Sequence, residues 1–236
     1  MFGFSNRLDN KYLNQIGDLR RESVKGGVWS MLSQIVSFFI QITSTMILAR
    51  ILFPEDYGLI ALVGTITGFV AVFRDMGLST ATIQAKDLDD ILFSSIFSIN
   101  VLLGLVLTII FASMGPFISW FYNDDRLLLI TLVSSTNFFI GSLSSQLLAL
   151  LKRSMKFKTI FISQIISSSV SVLVSVYFAL NGYGYWALVI GPVISSIIIF
   201  IYLIFLFKWF PQKPIWDSRI KNVLNFGKHV TFFEII

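Results

Sequence analysis

The sequence predicts an all-α polytopic membrane protein: six transmembrane helices plus the start of a seventh. Three observations carry that prediction. Of 236 residues, 55% are hydrophobic and 13% charged, about half the charge of an ordinary soluble domain, and mean hydropathy is +0.79. The charges cluster, and between the clusters lie uncharged runs long enough for a helix to cross a bilayer. The runs lack the ten-residue alternation of outer-membrane barrel strands. Hydrocarbon offers open backbone groups no partner, so the runs form helices.

Residues 1–25 read as a polar N-terminal tail. They are not a cleavable signal, because the first apolar run is too long for a signal core and no small-residue cleavage site follows. Span one covers 26–49, opening "GGVWSMLSQIV". In "ARILFPEDYG", Pro54 stops helical continuation, and Glu55 and Asp56 suit the positive N-terminus of the next helix. Span two covers 57–74, at the short end of the range. The uncharged run 91–123 is too long for one simple span. Gly115-Pro116 predicts that span three, 91–113, ends there, with "FISWFY" following as an interfacial aromatic belt. Span four covers 127–151. The run 159–207 is broken by "NGYGYW" at 181–186, giving spans five (159–180) and six (185–207). Residues 208–236 read as a basic segment, in which "VLNFGKHVTFFEII" begins a truncated seventh span.

Basic residues fix the expected orientation. Sixteen of the eighteen Lys and Arg fall in the tail, the even loops and the segment after span six. Only Arg50 and Arg126 fall in the odd loops. The positive-inside rule then places the N-terminus in the cytoplasm. Anionic lipid headgroups account for the basic loops without any nucleic acid.

Catalysis finds little support. There is no cysteine, which excludes thiolate chemistry and disulfides. The single histidine, His229, has no companion ligands for a metal. Asp89-Asp90 and Asp124-Asp125 are adjacent pairs whose side chains diverge on a helix. They read as helix N-terminal charges rather than acid–base dyads. No phosphate-cradling glycine loop or nucleophile motif is present, and no cofactor or metal is implied.

Polar residues recur at helical spacing inside the spans. Ser30, Gln34, Ser37, Gln41 and Ser44 or Thr45 share one face of span one. Thr131, Ser134, Gly141, Ser142 and Ser145, with Asn137 nearby, mark span four, and Gln164, Ser168, Ser171 and Ser175 mark span five. Facing lipid, such groups would stay unsatisfied, so these faces are expected to turn inward. Serines, and the Gly64/Gly68 pair of span two, suit close helix packing. Gln34 and Gln41 are too bulky for a tight crossing and suit a hydrated cavity. No span carries a mid-membrane carboxylate of the kind proton-coupled pumps often hold.

The segments "LARILFPEDYG" (48–58), "FRDMGLSTATIQ" (73–84) and "NGYGYWALVIGP" (181–192) resemble, in order, the start of polysaccharide-exporting flippases of the multidrug/oligosaccharidyl-lipid/polysaccharide exporter superfamily. The colanic-acid and teichuronic-acid exporters and the O-antigen translocases are the most similar subgroup. The resemblance implies two helical lobes around a central cavity in the bacterial cytoplasmic (inner) membrane. It implies translocation, by alternating access, of an oligosaccharide linked to undecaprenyl diphosphate. The present residues supply one lobe, so a missing C-terminal lobe and membrane lipids are the implied partners. A diphosphate crossing hydrocarbon needs cations, and its sugars need neutral polar groups. The candidates are Arg50, Arg74, Gln34, Gln41, Ser37, Asn137 and Gln164. The competing reading makes Arg50 a loop anchor paired with Glu55 or Asp56, and Arg74 an interfacial residue beside Asp75. A membrane glycosyltransferase would need larger loops with acidic or Arg motifs. A small-molecule antiporter would be favoured by a buried carboxylate. A non-transporting remnant is the remaining alternative. Leucine at both Gln34 and Gln41 should abolish polymer export at unchanged protein level, and normal export would sink the cavity assignment.

Overall fold

The structure is a computed structural model that describes residues 16–72, 74, 77–85, 88–209, 211, 212 and 220. His229 and the whole of the expected seventh span, 223–236, lie outside the described residues. Among the described residues seven helices follow one another: α1 (Ile16–Leu48), α2 (Pro54–Val72), α3 (Leu78–Gln84), α4 (Asp90–Tyr122), α5 (Arg126–Arg153), α6 (Phe157–Leu180) and α7 (Trp186–Phe207). Five of them (α1 from Val24, α4, α5, α6 and α7) are long and apolar enough to cross a membrane. The chain is a multi-pass membrane protein. The second expected span corresponds to α2, whose 19 residues reach about 28 Å.

Helix ends follow local chemistry. α1 starts ten residues before the expected span, because "IGDLRRESVK" contains no proline, and Leu19, Arg20, Arg21, Glu22 and Lys25 are good helix formers that offset Gly17. α2 opens on Pro54 with Glu55 and Asp56 in its first turn, as the sequence predicts. The Asp56 carboxylate accepts from the Phe53 N–H at 3.2 Å. Asp89 caps α4 by accepting from the Leu92 N–H at 2.8 Å. At α5, Asp124 accepts from the Arg126 N–H at 3.0 Å and pairs with its guanidinium at 2.7 Å. Hydrogen bonding from Arg126 holds the Asp124 carboxyl below the usual carboxylate range. The turn between α6 and α7 needs Gly182 and Gly184, at φ 78° and 55°.

One expectation is corrected, and one helix was not anticipated. α4 does not end near residue 113 but runs on through Pro116 to Tyr122. Proline removes one hydrogen bond, to the Ala112 carbonyl, and crowds that turn. Ending the helix there would open several backbone groups to hydrocarbon. Buried Ile118 and Ser119 hold the last turns against the bundle, and Asn123, at φ 53°, closes them. The "FISWFY" aromatics are thus helical, with Phe117, Trp120 and Phe121 exposed on its surface. Second, the stretch "LSTATIQ" forms α3, a helix that no apolar run announced.

α5 is the centre of the bundle, packed on α4, α7, α3 and α2, while α6 joins α7 to α1. Glycine makes the crossings close. A Cβ on Gly104 would strike the Ser142 side chain and come 2.9 Å from the Phe138 carbonyl. A Cβ on Gly191 would strike Ser175, and one on Gly26 would meet the Phe157 ring at 2.7 Å. Phe111, fully buried, packs edge-on against Phe138 at 5.4 Å.

Side-chain hydrogen bonds join the same pairs of helices. Ser33 of α1 donates to Gln164 of α6. Asn100 of α4 donates to the Ser142 carbonyl and to Ser145 Oγ, at 2.9 and 2.6 Å. Ser196 of α7 donates to Asn137 of α5 at 3.0 Å. Thr82 of α3 donates to buried Gln146 at 2.7 Å. Arg153 donates from one nitrogen to the carbonyls of Thr82, Ile83 and Ala85, closing the C-terminus of α3.

Replacing Gly104 with Ala should destabilise the protein by about 1–3 kcal/mol through overpacking, read as a lower melting temperature in detergent. Gly27→Ala, where a Cβ meets nothing within 4 Å, should be neutral or slightly stabilising.

Candidate functional site

Two clefts open on the bundle and share Leu188 and Pro192 on one face of α7. The first, about 400 Å³, lies between α1, α6 and α7. α1 contributes Ser37, Gln41, Ser44 and Thr45, spaced so that successive turns present them to the same side. α6 contributes Ser168, Ser171 and Ser175 by the same spacing, α7 contributes Ser195, and Tyr57 of α2 joins this wall. The second, about 330 Å³, lies between α2, α5 and α7. Gly64, Thr67, Gly68 and Ala71 form its α2 wall, with Ser134 and Asn137 from α5. Leu188 and Pro192 line both clefts.

Among the described residues, no Asp, Glu, Lys or Arg lines either cleft. The first is a concave, uncharged surface in which hydroxyls and one amide stand among Ile40, Leu48, Val172, Leu188 and Pro192. Among the described residues no group of three His, Asp or Glu is placed to hold a metal ion.

The structure brings Ser37 and Gln41 together with the α6 serines. Gln34 lies on the exposed face of α1, outside the cleft. Gln164 is tied to Ser33 across the α1–α6 crossing. Asn137 lines the second cleft while accepting from Ser196. Arg50 is exposed in the α1–α2 turn and forms no ion pair with Glu55 or Asp56, contrary to the loop-anchor reading. Asp56 instead lies against Gly184, where a Cβ would be 3.1 Å from its carboxylate. Arg74 is exposed, one turn beyond Ala71, with its guanidinium close over Gly141. Gly141 is itself one turn beyond Asn137, so Arg74 sits past the end of the second cleft. The Gly64/Gly68 pair does not form the helix crossing its spacing suggests, because both glycines face open space.

Sequence reasoning missed Tyr57, Pro192 and Ser195. Tyr57 follows two acidic residues at a helix start and reads as interfacial. Pro192 reads as part of a motif rather than as a wall residue. The usable signal was Ser195, which stands one turn after Pro192 on the same helix.

Comparison with known proteins follows this geometry. The chain is 25% identical over 223 residues to the teichuronic acid biosynthesis protein TuaB of Bacillus subtilis, covering 89% of this chain and 44% of that protein. It is 22% identical over 227 residues to the lipopolysaccharide biosynthesis protein WzxC of Escherichia coli, covering 92% and 45%. It is 27% identical over 178 residues to the succinoglycan biosynthesis transport protein ExoT of Rhizobium meliloti, covering 72% and 34%. The chain thus spans less than half the length of these relatives. No solved structure gives a significant match. The model of one family, described as polysaccharide biosynthesis protein, matches residues 47–236, and it is to this family that the chain belongs.

Proposed function

We propose that the chain forms one lobe of a flippase that moves a lipid-linked oligosaccharide across the bacterial cytoplasmic membrane by alternating access. The observation that carries this reading is the pair of uncharged clefts meeting at Leu188 and Pro192. A concave face of open hydroxyls within a membrane bundle replaces water around a sugar, which lowers the cost of carrying it through hydrocarbon. Relatives that act in polysaccharide biosynthesis, one of them by name a transport protein, support the same reading.

On this reading the six spans are α1, α2, α4, α5, α6 and α7, residues 26–207 form the lobe, and the end holding α3 faces the cytoplasm. A second lobe covers the face where Gln34 and Gln41 are exposed. The substrate's carrier is undecaprenyl diphosphate. Arg74, held over Gly141 just beyond the second cleft, is the cation placed at the cytoplasmic end of that cleft. Arg50, in the opposite turn, is placed to meet it on leaving. Arginine suits this work because its fork of donors matches phosphate oxygens.

Two measurements test the proposal in a strain whose surface polymer depends on this gene. Arg74→Gln should lower polymer export at least tenfold at unchanged protein level, and wild-type export would remove Arg74 from the substrate path. Because the sequence has no cysteine, single introduced cysteines report orientation directly. Cysteine at Ser154 should be shielded from a membrane-impermeant thiol reagent in intact cells, and cysteine at Asn123 should react. The reverse pattern would invert the assigned topology.

A further inference from the structure

We infer that the segment from Arg74 to Ala85 is a lever laid along α5, through which the chain leaving α7 sets the position of Arg74, and that Arg153 is the positioning residue that pins it. The inference rests on the transport reading of Arg74 and concerns how that residue is held and moved.

α3 does not hold itself. It has seven residues, and its N-cap, Gly77 at φ 69°, supplies no side-chain hydrogen bond. Isolated helices of that length are marginal, so contacts from elsewhere fix it. These fall in order along α5. The Arg74 guanidinium lies over Gly141, where a Cβ would be 3.2 Å from Nη1. Thr82 donates to Gln146 at 2.7 Å. Arg153 Nη1 donates to the carbonyls of Thr82, Ile83 and Ala85 at 3.1, 2.9 and 2.6 Å. Gly141 to Arg153 is about 18 Å of helix. The segment therefore runs beside the last turns of α5, in the same direction, fastened at three rungs. Arg153 is half-buried and forms no ion pair among the described residues. All of its hydrogen bonds there go to α3 and its C-cap. A cation taken from water needs compensation, and the carbonyl end of α3 supplies it.

α3 also belongs to a core that includes the chain after α7. Lys208, at φ 46°, ends α7. The Trp209 ring then packs edge-on against Phe93 at 4.9 Å and Phe97 at 5.5 Å. The Gln212 N–H donates to Ser94 Oγ at 3.1 Å. Ile220, 2% exposed, shares one apolar core with Leu78 of α3, Phe93 of α4 and Leu151 of α5. Close-packed interiors pass displacement on rather than absorb it. A shift of Trp209 and Ile220 is thus transmitted to Leu78, and along the lever to Arg74.

The absence of cysteine from the sequence allows a direct test in membranes containing the 236-residue chain. Ala81→Cys reports on α3, where Ala81 is buried. Ala187→Cys, in the buried core at the start of α7, reports on general loosening. Trp209→Ala and Arg153→Met should each speed labelling of Ala81→Cys by N-ethylmaleimide at least tenfold, by local opening, and leave Ala187→Cys unchanged. A rate at Ala81→Cys that either variant leaves unchanged would overturn the inference. Equal gains at both cysteines would also overturn it, by making these side chains merely structural. In the export assay, Trp209→Ala should lower export about fivefold alone and cause no further loss in an Arg74→Gln protein, because both act through one residue. Losses that multiply would sever the link to Arg74. The two readings fail separately. Unchanged labelling with Arg74-dependent export removes the lever alone, and the expected labelling with wild-type export by Arg74→Gln removes the transport reading of Arg74 alone.

Discussion

The structure depends on α5 having polar groups on several sides and finding partners for most of them inside the protein. Hydrocarbon satisfies no hydrogen bond, so a polar side chain in a span binds another helix, lines water or remains a penalty. α5 meets α4 through Ser142 and Ser145, α7 through Asn137, and α3 through Gln146 and Arg153. Each bond is modest alone, about 1 kcal/mol. Together they fix the rotation of α5, and that rotation decides which residues remain to line the second cleft. Gly104 matters for the same reason, since it lets α4 approach closely enough for Asn100 to reach the α5 backbone.

Much of this was legible in the sequence because charge is expensive in a bilayer. Clusters of Lys, Arg, Asp and Glu mark where helices leave the apolar layer, so α5, α6 and α7 fall within two residues of the expected spans. Pro54, Asp89 and the paired glycines after Leu180 signalled boundaries through backbone chemistry that does not depend on tertiary context. Pro116 misled because the rule that proline ends helices is calibrated on water, where a freed carbonyl is readily solvated. α3 escaped notice because seven residues of mixed polarity carry no span signal. Its stability comes from Arg153, seventy residues away, and from buried Leu78.

The polar stripes were harder to read. Periodicity places Ser33, Gln34 and Ser37 on α1 but does not say which neighbour each will meet. Ser33, not singled out, holds the α1–α6 crossing, while Gln34 faces away from the cleft. Gln164 and Ser168, one turn apart on α6, split the same way, one into a crossing and one into the cleft. A single residue of helix rotation separates these roles, and only packing resolves it. Spacing is equally silent on Gly64 and Gly68, which supply an open cleft wall instead of a close contact.

Where the charges sit completes the physical picture. Arg50 and Arg74 lie near opposite ends of α2, and among the described residues the clefts between them carry no charged lining residue. A cation midway along a narrow, low-dielectric cleft would bind a diphosphate tightly and resist its release, since electrostatic attraction strengthens as water is excluded. Cations at the ends, where water screens them, attract the anion without trapping it. On the proposed reading, neutral hydroxyls in between would hold sugars by bonds that exchange with water at small net cost. On the proposed reading, the opening stretch of α2 serves this division directly. Asp56 is buried against Gly184 rather than paired with Arg50, and the guanidinium is left available to a passing anion.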